Sequence, residues 1–279
     1  YPLNQPDPGP GAVVDRRPFR QYTRAPVFRS APWAFSRYHG VSTRVERRFS
    51  KGLSFLGSLT FGRAIDTASE FAVCDGCGAS ADDAVQNPLD LYGSQKSLSN
   101  HHIARRFVFS GVYELPFGTG RPYANAGAIR HIVGGWAISG IFTASDGIPF
   151  TPSLAFDNAN TGTTNRPNRL RDGRLDNPTV ARYFDIDAFA AAAPFTYGNS
   201  GRNILIGPGA NNIDFAVHRN FPLPVNEASR LEFRAEAFNL FNRPHFHLPN
   251  STIGSVSAGI IGATTPPNRQ LQFGLKLVF

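Results

Sequence analysis

A few short stretches carry residue types that could do chemistry. Cys74-Asp75-Gly76-Cys77 could serve as a redox pair or as half of a metal site. These are the chain's only cysteines, so zinc held by cysteine alone would lack its second pair. His101-His102 and His245-Phe246-His247 offer imidazoles, but no carboxylate stands at a ligand spacing beside either pair. Asp157 to Asn168 is rich in Asn, Asp, Thr and Gly, as calcium loops are. Ala159 and Thr161 break the ligand pattern, so a solvated loop is expected there. Gly198-Asn199-Ser200-Gly201-Arg202 misses the nucleophile elbow because its last position is Arg. No HExxH, phosphate loop or dinucleotide fingerprint occurs. No catalytic residues, no metal and no cofactor are expected, and the chain is not read as an enzyme.

The elements that position these residues follow from composition. The 279 residues are 41% hydrophobic and only 17% charged, which argues against whole-chain disorder. Gly (27) and Pro (22) are abundant, and the only lysines are Lys51, Lys96 and Lys276; this leans toward strands joined by long irregular loops. A net charge of +8 would suggest nucleic acid, but the basic residues alternate with apolar ones and share a face with Glu, as in Arg230 to Glu236. No nucleic-acid partner is expected. No apolar run reaches the roughly 18 residues of a spanning helix, whereas a spanning strand needs only about 9–11. The chain has no methionine and opens on Tyr-Pro-Leu-Asn, so it is read as a fragment.

Period two dominates. Val41, Thr43, Val45 and Phe49 are expected on one face, with Ser42, Arg44, Glu46 and Arg48 on the other. After the turn Ser50-Lys51-Gly52, Leu53, Phe55, Leu59 and Phe61 oppose Ser54, Ser58 and Thr60, which makes a hairpin. A third strand sets Phe107, Phe109, Tyr113 and Leu115 against Arg106, Ser110 and Glu114. A fourth has Trp136, Ile138 and Phe142 on one face, and a fifth has Ile213, Phe215 and Val217. The sixth opposes Leu231, Phe233, Ala235 and Ala237 to Arg230, Glu232, Arg234 and Glu236. The last aligns Leu271, Phe273, Leu275, Leu277 and Phe279. Seven strands emerge, with no convincing amphipathic helix.

The connections alternate in length: short links follow strands one and five, an intermediate one follows strand three, and long ones span 65–102, 146–211 and 243–268. Outer-membrane barrels show this pattern, with short periplasmic turns and longer extracellular loops. A soluble β-sandwich also alternates, but it rarely tolerates a loop as long as 146–211. Aromatics such as Phe238, Phe241, Phe246, Tyr113 and Phe117 fall at strand ends, where membrane girdles would sit. If Phe279 ends in the periplasm, every long loop lies outside the cell. The expected fold is all-β: an antiparallel transmembrane β-barrel, incomplete, with about seven C-terminal strands of a larger one. Arg44, Glu46, Arg230, Glu232, Arg234 and Glu236 are then lumen-facing charges, which pair across strands or steer an anionic ligand.

A set of phrases carries a further likeness. They are Tyr38-His39-Gly40 leading into Val45 to Leu53; Arg105 to Gly118; Gly134-Gly135-Trp136 with Ser139-Gly140-Ile141; Gly147 to Pro152; Tyr197 to Asn203; and Arg234 to Pro244. In this order and spacing the chain resembles, from about Trp33 onward, the C-terminal barrel of TonB-dependent outer-membrane receptors. The resemblance is to the Oar-like group, whose members carry a carboxypeptidase-regulatory-like N-terminal domain. In the last strand Gln272, Gly274, Leu277 and Phe279 resemble the assembly signal of outer-membrane barrels, although an ordinary edge strand could end on Phe279 too.

The resemblance implies a location in the bacterial outer membrane and a barrel of about 22 strands around a plug. It implies an energised uptake receptor, here without plug or N-terminal domain; a non-transporting structural or adhesive barrel is the alternative. The partners implied are outer-membrane lipid, the barrel assembly machinery, TonB through the missing N-terminal region, and an unknown small ligand whose binding residues are unknown. Residues 1–34 are read as an extracellular loop remnant and 35–279 as the barrel part. Outside the cell, Cys74 and Cys77 are expected to form a loop disulfide.

Overall fold

A computed structural model describes residues 3–22, 33–69, 85–224, 229–265 and 268–279. Seven long strands form one antiparallel sheet: β1 (Ser36–Ser50), β2 (Leu53–Asp66), β3 (Arg105–Glu114), β4 (Trp136–Ser145), β5 (Ala210–Pro222), β6 (Arg230–Phe238) and β7 (Gln270–Val278). Each pairs with its neighbour in sequence, so the sheet is an up-and-down meander. Antiparallel neighbours can be joined by tight turns, and the alternating residues leave no strand needing a crossover. The sheet does not close: among the described residues β1 and β7 each keep one edge unpaired. It is an arc of a barrel.

The register turns the sequence alternation into two continuous faces. One row runs Leu53, Tyr113, Ile138, Val217, Ala235, Phe273 across β2 to β7. The row beside it, on the opposite face, runs Ser54, Val112, Ser139, Ala216, Glu236, Gln272. Val41, Val45, Phe61, Phe109 and the four leucine and phenylalanine residues of β7 from Leu271 to Leu277 are exposed, so among the described residues no second sheet covers the apolar face. A sandwich would bury that face. Rings instead pack beside one another along it, as Phe55 and Phe109 do at 5.8 Å between centroids.

Two details differ from the sequence expectation. The register shifts between Arg47 and Ser50, so Arg48 and Phe49 together oppose Ser54. This β-bulge moves Phe49 off the apolar face and into the concavity on the polar one. Phe238, expected in an outward girdle, pairs with Gln270 and lines the same concavity. The turn after the bulge is a two-residue loop with both central residues at positive φ, Lys51 (53°) and Gly52 (81°), which matches the right-handed strand twist.

All three long links leave the same end of the sheet, and the other end carries Lys51-Gly52, 115–135 and 223–229. The described residues of the long links are not in extended loops. They fold into a cap around Phe150, Phe184, Ala188, Phe189 and Leu205, with Tyr183, Ile186, Ile204, Leu248 and Ile253 packed against them. Small strand pairs stitch the cap: Pro149–Phe150 with Leu205–Ile206, Asn168–Arg169 with Phe189–Ala190, and His245–Phe246 with Thr264–Thr265. Ser153–Leu154 runs parallel to Thr252–Ile253 and so joins the second long link to the third. Two five-residue helices, α1 (Leu91–Gln95) and α2 (Ile129–Val133), lie in links where the sequence suggested none.

Candidate functional site: the polar face and its cap

The six charges singled out in the sequence stand on one face. Arg44 aligns with Ser58, Val108, Thr143 and Asn212, and Glu46 with Leu56, Ser110, Ile141 and Asp214. Glu232, Arg234 and Glu236 align with Lys276, Gly274 and Gln272 of β7. Among the described residues their ion pairs within 4 Å run along the strands rather than across them as expected, although Glu232 also faces the Lys276 charge directly opposite. Each cation reaches the acid two residues on: Arg44 to Glu46 (2.8 Å), Arg230 to Glu232 (2.8 Å) and Arg234 to Glu236 (3.6 Å). Residues i and i+2 share a face at one strand's spacing, and the neighbours across from Arg44 and Arg234 are Ser58 and Gly274, which offer no carboxylate. A concavity of about 700 Å³ opens on this face, lined by Arg44, Glu46, Ser110, Ser139, Asp214 and Glu236 among others. Phe49, Leu56, Val112, Ile141 and Phe238 line it as well, so its charged and hydroxyl groups stand among apolar side chains.

At the cap end the chemistry is buried. Arg202, from the phrase that failed as a nucleophile elbow, points back to the tip of β2 and pairs there with Asp66; both side chains are almost fully enclosed. Its Nε donates to the Gln95 carbonyl (3.1 Å) and to Ser97 Oγ (2.9 Å). Next to it Asn203 Nδ2 donates to the Leu98 carbonyl (2.7 Å) and Asn100 Oδ1 (2.6 Å). One loop phrase thus fastens the second long link to the first and to the strand below. Arg166 donates to the Ser94 carbonyl (2.7 Å) and Gln95 Oε1 (3.2 Å). Burial, and then the nearby Arg202 charge, bring its pKa down to about 10. The sequence offered one signal for this latch, an Arg inside a phrase matched as a unit, but nothing in the spacing paired it with Asp66.

The Asp157 to Asn168 stretch, expected as a solvated loop, is packed instead: Ala159, Thr161 and Asn165 are buried. Asn165 Oδ1 accepts from the Ala159 amide (2.5 Å), and Asp157 Oδ2 accepts from the Gly162 amide (2.6 Å). Its polar side chains satisfy backbone rather than a cation. Asn160 Nδ2 donates to the carbonyls of Gly9 (2.9 Å) and Gly11 (2.7 Å), so residues 3–22 are part of the cap. Gln5 adds a bond to the Gln86 carbonyl (2.8 Å).

Where sheet and cap meet, His102, Arg105, Asp146 and Ile206 line a recess of about 320 Å³. Arg105 holds Asp146 through two bonds of 2.8 and 2.9 Å. His102 Nδ1 accepts from the Ala64 amide (3.3 Å), which fixes that nitrogen unprotonated. Burial and then the Arg63 charge push its pKa down, against a smaller raising effect of Asp146. His245 Nε2 lies 3.1 Å from the Asn211 carbonyl. Cys74 and Cys77 lie outside the described residues. Of the assembly-signal residues, Gln272 and Gly274 stand on the polar face opposite Glu236 and Arg234, Leu277 stands on the apolar face opposite Leu231, and Phe279 is exposed beyond the strand.

No curated protein and no solved structure matches the chain. A family model, described as an outer membrane beta barrel domain, matches residues 1–272. An uncovered apolar face, a polar concave face and long links gathered at one end are what such a barrel requires in lipid. The chain belongs to the outer membrane beta barrel domain family, and its place is the bacterial outer membrane.

Proposed function

We propose that this barrel serves TonB-energised uptake, as the C-terminal part of an Oar-like receptor. The observation that carries the reading is the ordered run of phrases from Tyr38 to Pro244 within an outer-membrane barrel. The polar face, with its along-strand ion pairs, is the lumen wall against which a plug sits. The cap of residues 3–22 and the three long links faces the outside and takes the ligand. The free edge of β7, ending on Phe279, pairs with the assembly machinery by strand addition.

The buried Arg202–Asp66 pair favours a second reading, a non-transporting barrel that presents a rigid loop platform. The full-length coding sequence separates the two. A transporter requires a plug of about 120–150 residues, a single-domain length, behind a signal peptide. A coding sequence that supplies only further strands overturns transport and leaves the platform.

A further inference from the structure

The link from β3 to β4 does more than turn the chain. Trp136 and Arg219 pair across β4 and β5 on the apolar face, with Phe233 opposite Arg219 on β6. The Trp136 indole donates to the Ile132 carbonyl (3.1 Å), and Arg219 donates to the same carbonyl (2.6 Å) and to that of His131. Both therefore hold the C-terminal end of α2 from the lipid-facing side of the wall. The Arg219 guanidinium lies 4.2 Å from the Phe221 ring centre and 5.4 Å from that of Trp136. An arginine stacked on aromatic rings at the end of an apolar strand face is suited to the boundary between acyl chains and headgroups.

Held there, α2 turns its own apolar side chains away from the protein. Ile129 and Ile132, one helical turn apart, are 54% and 67% exposed, and Tyr123 of the same link is 62% exposed. Arg130 and His131 lie beside them, also exposed. Nothing in the sheet would drive isoleucines outward in water; next to an apolar face already uncovered, they continue it.

We propose that residues 117–135 are a membrane-seated foot on the short-turn side. Ile129 and Ile132 enter the acyl boundary of the phospholipid leaflet, and Arg130 meets lipid phosphates. The foot sets the depth at which the barrel wall sits. This rests on the barrel reading, because the apolar face must itself meet lipid.

The test uses the full-length protein refolded into vesicles of phosphatidylethanolamine and phosphatidylglycerol, with Cys74→Ser and Cys77→Ser as background. Nitroxides are placed one at a time at Ile132→Cys, at Phe273→Cys on the apolar face and at Thr119→Cys on the same link. Collision with oxygen, which partitions into lipid, is compared with collision with a water-soluble nickel chelate. The proposal expects Ile132 to resemble Phe273, with an oxygen-to-nickel ratio several-fold above Thr119. It also expects Arg130→Glu to shift the Ile132 label toward water. Ile132 behaving like Thr119 while Phe273 is in lipid overturns the foot and leaves the barrel. Phe273 in water overturns both.

Discussion

The sheet and the cap solve the same problem in opposite ways. Among the described residues, only Ala137 and Ala237 of the long strands are buried apolar residues, whereas the cap buries Phe150, Phe184, Phe189, Leu205 and Ile261. The sheet has little need of a core because lipid serves as solvent for its apolar face and every central strand hydrogen-bonds to two neighbours. The cap meets water and must exclude it in the ordinary way, by packing phenylalanines and pairing what polar groups it encloses. The two regions should therefore respond to opposite substitutions: the cap fails when apolar volume or a buried charge partner is lost, the sheet when charge is put on its greasy face.

The largest effect is expected at the latch. Arg202→Ala leaves Asp66 buried without its cation, and removing one partner of such a pair costs about 3–5 kcal/mol. Replacing both, Arg202→Met with Asp66→Leu, should recover much of that loss. Proteolysis of the cap in the full-length protein measures both; equal sensitivity of the single and double variants would break the argument. Phe184→Ala, at a side chain only 1% exposed, should loosen the cap by about 3–5 kcal/mol, with the sheet's amide exchange unchanged.

On the sheet the order reverses. Phe273→Arg, at 72% exposure, would count as a harmless surface change in a soluble protein. In a bilayer it should cost about 2–4 kcal/mol, read as a lower denaturant midpoint in vesicles. Ser139→Arg, one strand residue from the apolar row but on the polar face, should cost far less. Similar losses from both would remove the distinction between the faces.

The junction of the two regions should be pH-sensitive. His102 is neutral in the fold with a lowered pKa, so the unfolded ring binds a proton first as pH falls. Its contribution is complete above the ordinary histidine value of about 6.5 and declines as pH drops toward the folded value. Protonation also ends the bond accepted from Ala64. The protection factor of that amide, its exchange corrected for the intrinsic slowing in acid, should fall on acidification, and His102→Gln should flatten the dependence. The smallest effect is at the first hairpin. Lys51 holds φ 53°, and Lys51→Asn, better suited to that conformation, should stabilise the turn by up to about 1 kcal/mol. No gain in denaturant midpoint would show that the turn is not limiting.

Alternation alone made the sheet legible. Arg230 to Glu236 sorts into two faces whatever it pairs with, because successive strand side chains point oppositely, and link lengths then place the three long links at one end. The bulge was not legible: nothing in Arg47 to Ser50 says that one extra residue enters, and one residue suffices to carry Phe49 to the other face. The cap was the least readable part. Its residues lack a period, and Arg166 and Arg202 look like solvated loop polar groups until distant partners remove them from water.

The sequence by itself determined the two alternating sides of each strand, since a two-residue period is a local property of an extended chain; the bulge between Arg47 and Ser50 then moved Phe49 across. Only the tertiary structure decided that the long links are one packed body fastened to β2, because that depends on contacts such as Arg202 to Asp66, 136 positions apart along the chain. Local geometry can be read along a chain, but a buried charge pair between distant segments exists only once folding has brought its two halves together.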